Sequence, residues 1–94
     1  MNKYETVILI NINISKDERI KVLEKIKNYI TENGEITKVE DLGKKQLAYE
    51  IKKQKEAYYY LIQFNTYADN IYELQRIYRI TDEILKFIVV KLEN

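Results

Sequence analysis

Residues Ala57 to Phe64 spell AYYYLIQF, an uncharged run with three successive tyrosines, and few folds can hold it. Extended, it sets Tyr58, Tyr60, Ile62 and Phe64 on one face and Tyr59, Leu61 and Gln63 on the other, because side chains alternate across a strand. A strand apolar on both faces invites aggregation unless both edges are paired. It is therefore expected inside a sheet, and the rest of the chain must supply its neighbours.

Three further segments have strand character. YETVILI, Tyr4 to Ile10, divides into Tyr4, Thr6, Ile8 and Ile10 on one side and Glu5, Val7 and Leu9 on the other. A strand starting at Glu35 is interrupted or bent near Asp41-Leu42-Gly43, after which Leu47, Tyr49 and Ile51 alternate with Gln46, Ala48, Glu50 and Lys52. ILKFIVVKL, Ile84 to Leu92, is the last. Between them lie two helical patterns. Ser15 with Glu18 three residues on fits a capping box that starts a helix near Lys16, with Leu23, Ile26 and Ile30 as its apolar stripe and Ile20 preceding. Asn33-Gly34 should stop it, the glycine taking a left-handed conformation. The second helix runs roughly from Ala68 to Arg79, burying Ile71, Leu74 and Tyr78 with Ile77 alongside.

Strand, helix, strand, strand, helix, strand is the order of an α+β, ferredoxin-like split βαβ: a four-stranded antiparallel sheet with both helices on one face. Ninety-four residues, 46% hydrophobic, suffice for one such domain spanning residues 1–94. The other sheet face lacks helices. On it fall Val7, Leu9, Tyr59, Leu61, Ile88 and Val90, an apolar patch expected to meet a partner.

Composition narrows the chemistry. The chain has no histidine and no cysteine, which removes the side chain titrating near neutrality, the commonest transition-metal ligand and any disulfide framework. Ser15, the only serine, reads as a helix cap. Two glycines cannot build a phosphate-cradling loop. Glu40-Asp41 and Asp82-Glu83 read as solvated carboxylates, and the three arginines lie on or beside helices, unlike the anion loop of a small acylphosphate hydrolase. No enzyme, cofactor, metal or small-molecule substrate is expected. With no signal peptide or long apolar run in sight, the chain is expected to be soluble, cytoplasmic and free of membrane.

Lysine is the remaining signal. Between Gly43 and Lys55 stand Lys44, Lys45, Lys52, Lys53 and Lys55 against the single Glu50, and a turn at Gly43 would project Lys44, Lys45 and Gln46 together. Lys3, Arg79, Lys86 and Lys91 are further phosphate candidates. Base stacking is disfavoured: Tyr59 and Phe64 fit the RNA-recognition-motif pattern, but Ala57, Tyr58, Tyr60 and Leu61 depart from it.

Taken in order, MNKYETVILININ, DLGKKQLAYEIKK, AYYYLIQF and YRITDEILKFIVVKL resemble the bacterial small-subunit ribosomal protein six family over essentially the whole chain. The most specific stretch is Leu42 to Tyr49 with Ile51, supported by Tyr4-Glu5 and Arg79-Ile80-Thr81-Asp82. Ile12 and Glu50 stand where proline is common. The resemblance implies a non-enzymatic ribosomal constituent that binds 16S rRNA in its central domain together with small-subunit ribosomal protein eighteen. A net charge of +1 fits a chain that grips RNA weakly alone and better beside a more basic subunit. On this reading Lys3, Lys44, Lys45, Gln46, Arg79, Lys86 and Lys91 face RNA, and Val7, Leu9, Tyr59, Leu61 and Ile88 face the protein partner. The competing class is a homodimeric ferredoxin-like ligand-sensing domain, its open face paired with a second copy.

Overall fold

The computed structural model describes residues 1–92. Its elements run β1 (Asn2–Asn11), α1 (Lys16–Asn33), β2 (Gly34–Ile51), β3 (Gln54–Thr66), α2 (Asp69–Ile80) and β4 (Ile84–Leu92). The strands form one antiparallel sheet in the order β2-β3-β1-β4, which puts the tyrosine-rich strand inside, hydrogen-bonded on both edges. This is the ferredoxin-like split βαβ.

Register settles the faces, since directly opposed residues point the same way. Tyr4 faces Phe64, Thr6 faces Ile62 and Ile8 faces Tyr60. That layer packs against Val22, Ile26 and Ile30 of α1 and Leu74 and Tyr78 of α2. Each fully buried isoleucine, such as Ile8, Ile26 or Ile62, contributes roughly 1.5–3 kcal/mol. The α1 stripe is Val22-Ile26-Ile30 at four-residue steps: Ile26 and Ile30 are buried as expected, Val22 takes the place of Leu23, which is half-buried on the flank, and Ile20 is exposed. Phe64 lies in the core at 2% exposure, stacked on Tyr4, and offers no ring to a base.

Two local expectations change. The Ser15 hydroxyl oxygen accepts from the Glu18 amide at 3.1 Å, but the Glu18 carboxylate accepts from the Ser15 hydroxyl, not from its amide, so only half of the box forms. Gly34 is extended, with φ 179°, so left-handed freedom is not its role. A side chain there would collide with the Asn65 carbonyl oxygen, because β2 enters the sheet hard against β3. Gly43 is the left-handed glycine, at φ 78°, where the ladder skips a residue between Asp41 and Gly43 and the Asp41 carboxylate accepts from the Gly43 amide.

Candidate functional site

Beyond Gly43 the β2–β3 pair continues as a long arm. β2 takes five steps from Gln46 to Ile51 while β3 takes two from Glu56 to Gln54, so the surplus of β2 bulges from the ladder. The bulge leans onto the face without helices. There Leu47 and Ile51 pack over Leu9, Ala57 and Leu85, and the Tyr49 hydroxyl accepts from Lys86 Nζ at 2.9 Å. That hydrogen bond ties the arm to the opposite edge of the sheet, and it raises the Lys86 pKa above the ordinary lysine value by stabilising the charged form. The arm closes with Lys52 and Lys53, both at positive φ, in a two-residue turn.

Part of the expected open face is therefore covered. Val7, Leu9, Tyr59, Leu61, Ile88 and Val90 do share one side, since Val7 faces both Leu61 and Ile88, Leu9 faces Tyr59, and Glu5 faces Val90. Leu9, however, is 6% exposed beneath Leu47 and Ile51 and has almost no surface for a partner. What remains is a stripe of half-buried Val7, Tyr59 and Leu61 running into Ile88 and Val90, exposed by 48% and 43% on the β4 edge. One end of it carries mixed charge, Glu5 and Glu40 with Lys3 and Lys38: Lys38 bridges Glu40 at 2.8 Å and Gln63 donates to Glu5. The other end carries Lys45, 6.0 Å above the Tyr59 ring, and Lys86.

The seven cationic and polar candidates do not form one group. Lys44, Lys45 and Gln46 are in β2 opposite Tyr58, Ala57 and Glu56, not in a turn, so Lys44 and Lys45 point to opposite faces. The left-handed Gly43 made a bulge within a strand that carries on. Lys3 faces Leu92 and Lys91 faces Tyr4, at the far end of the sheet, six residues or roughly 20 Å along β1 from Leu9. Arg79, in the last turn of α2, and Lys86 instead line one cleft of about 320 Å³ with Lys52 from the arm. Lys52 was visible in sequence only as a turn lysine; its meeting with α2 and β4 depends on where the bulge sends the arm. Arg76 is held by Glu73 at 2.6 Å, which keeps the Glu73 carboxyl below its ordinary pKa. Among the described residues no group of acidic side chains is placed to hold a metal ion, and no helix is long and apolar enough to cross a membrane.

A split βαβ sheet with a latched basic arm, an apolar stripe ending at the β4 edge, and cations spread over two ends define an α+β domain of the ferredoxin-like class. Residues 3–91 match the family described as Ribosomal protein S6. The chain is 40% identical over 95 residues to small ribosomal subunit protein bS6 of Caldanaerobacter subterraneus subsp. tengcongensis, covering all of both chains. It superposes on the crystal structure of 30S ribosomal protein S6 from Thermotoga maritima with a TM-score of 0.92 at 36% identity, covering 97% of this chain and 87% of that one. An Arabidopsis thaliana protein, 10% identical with a TM-score of 0.62, covering 100% of this chain and 95% of that one, shares the fold alone. The chain belongs to the ribosomal protein S6 family, and so is a protein of the small ribosomal subunit.

Proposed function

We propose that the chain binds the central domain of 16S rRNA jointly with small-subunit ribosomal protein eighteen. The observation that carries this is an apolar stripe (Val7, Tyr59, Leu61, Ile88) bordered at its arm end by cations, in a chain whose net charge is only +1. So small a net charge gives little long-range attraction to a polyanion, so affinity must come from local placement and from a second subunit bound alongside. Lys44, Lys45, Gln46, Arg79 and Lys86 serve the RNA at the arm end, and Lys3 and Lys91 at the other.

Filter binding to central-domain rRNA, with and without protein eighteen, tests this. Weak retention alone and at least tenfold tighter retention with the partner is expected. Lys44→Ala/Lys45→Ala should weaken the joint complex while leaving the melting temperature nearly unchanged, both side chains being exposed. A chain that never enters a complex with either component would end this reading.

A further inference from the structure

We propose that Lys52, Arg79 and Lys86 form one seat for a single phosphodiester group of RNA, in the cleft between the arm tip and the α2–β4 junction. This deepens the rRNA reading above and rests on it. The three residues come from three elements and line one cleft only through the fold: Lys52 from the turn closing β2 and β3, Arg79 from the last turn of α2, Lys86 from β4. The cleft they line measures about 320 Å³, about ten times the ~30 Å³ that one water occupies in the liquid, which admits a phosphate with some of its hydration.

Charge separates this cleft from its neighbours. Its lining contains three cations and no carboxylate. A second cleft, of about 220 Å³ along α1, balances Lys21 and Lys25 against Glu18 and Glu83, and a third, of about 130 Å³, holds the single cation Lys3. Only the first can attract an anion from several sides at once.

Two features show that the cations are positioned, not merely present. Lys86 donates one hydrogen bond to the Tyr49 hydroxyl at 2.9 Å, which restrains the ammonium beside the arm where β4 borders the cleft and leaves two donors for a ligand. Tyr49 is thus a positioning residue, itself 63% exposed and held out by the bulge. Lys52 has φ 48° and Lys53 φ 66°, left-handed conformations that asparagine and glycine adopt at less cost. Lysines at both turn positions retain charge at the expense of backbone ease.

The test measures the affinity of the full chain, with protein eighteen, for central-domain rRNA across a series of salt concentrations. Lys52→Asn, which tolerates the left-handed turn, Arg79→Gln and Lys86→Gln should each weaken binding severalfold. The triple variant should lower the magnitude of the log K against log salt slope by about one, the signature of one phosphate, and not by about three. Lys86→Arg should retain affinity, and Tyr49→Phe should lose part of it without altering the melting temperature. The exposed α1 pair Lys16→Gln/Lys21→Gln removes two charges elsewhere and should stay within about twofold of wild type.

If wild type binds and the triple variant binds equally well, the seat is refuted and the rRNA reading stands. Losses no greater than those of the α1 pair, or a slope change near three, would also overturn it. Saturable uptake of inorganic phosphate at micromolar concentration would reassign the cleft to a free anion. A wild-type chain that fails to bind rRNA at all removes the functional reading and the ligand of this cleft together.

Discussion

Thr6 is the one residue of the β1 core face that a hydrophobic tally would question, since its hydroxyl is fully buried. It donates to the Ile88 carbonyl at 2.9 Å and accepts from the Tyr78 hydroxyl at 3.1 Å, so one side chain joins β1, β4 and α2. Thr6→Val strands the Tyr78 hydroxyl in the core and should cost about 1–3 kcal/mol, whereas Tyr78→Phe should cost about 1 kcal/mol and the double variant less than the sum. Denaturant unfolding of the four proteins checks this cycle. Alkali gives a second readout of the same pair. Burial pushes the Tyr78 phenol far above its ordinary pKa of 10.0, with the Thr6 hydrogen bond only partly opposing, and burial raises Tyr29 and Tyr60 too. Above that ordinary value the unfolded chain releases a proton that the folded chain retains, so stability is complete below it and falls as pH rises past it. The gap of about 1 kcal/mol between wild type and Tyr78→Phe should therefore narrow from about pH 9 and close or reverse by about pH 11, the wild type losing up to about 1.4 kcal/mol per unit above 10. A constant gap would show that the phenol titrates freely in the folded state.

Among the elements, the β2–β3 arm departs furthest from a regular hairpin. Replacing its turn by Lys52→Asn/Lys53→Gly, the pair that a two-residue turn of this hand favours, should raise stability by about 1 kcal/mol or more and the melting temperature by roughly 4–8 °C. The same change should weaken rRNA binding, and a calorimetric scan beside a binding isotherm reads both. This element also marks where sequence stops being legible. β4 spans Ile84–Leu92 as its composition indicates, and β1 and β3 differ from expectation only by longer ends, because alternation over a buried face leaves one way to lie. The bend at Gly43 agrees with the sequence, but it lies within a continuing strand and makes no turn that gathers Lys44 to Gln46, and Gly34 is needed for clearance from Asn65 and not for a left-handed conformation. Neither distinction is local, since each depends on what β3 places opposite. For the same reason Lys44 and Lys45 read as a shared turn although they stand on opposite faces, and Leu9 read as free although Leu47 and Ile51 lie over it.

For the molecule as a whole, near-neutral charge and uneven charge placement matter together. Glu5 and Glu40 sit with Lys3 and Lys38 toward one end of the domain, and Lys45, Lys52, Arg79 and Lys86 lie toward the other. Mixed charge at one end and a cation excess at the other keep the net charge near zero while leaving the arm end to attract a polyanion. The arm has one more consequence. Leu47 and Ile51 rest on Leu9 from the beginning of the chain and Leu85 from near its end, so their perch exists only once β1 and β4 have come together. The tip should therefore be the last part to settle and the first to lift. Amide deuterium exchange should show residues 47–53 exchanging through small local openings while Thr6, Ile8 and Ile62 wait for the entire chain to unravel. Uniform protection across both groups would mean that arm and sheet rise and fall as one cooperative unit.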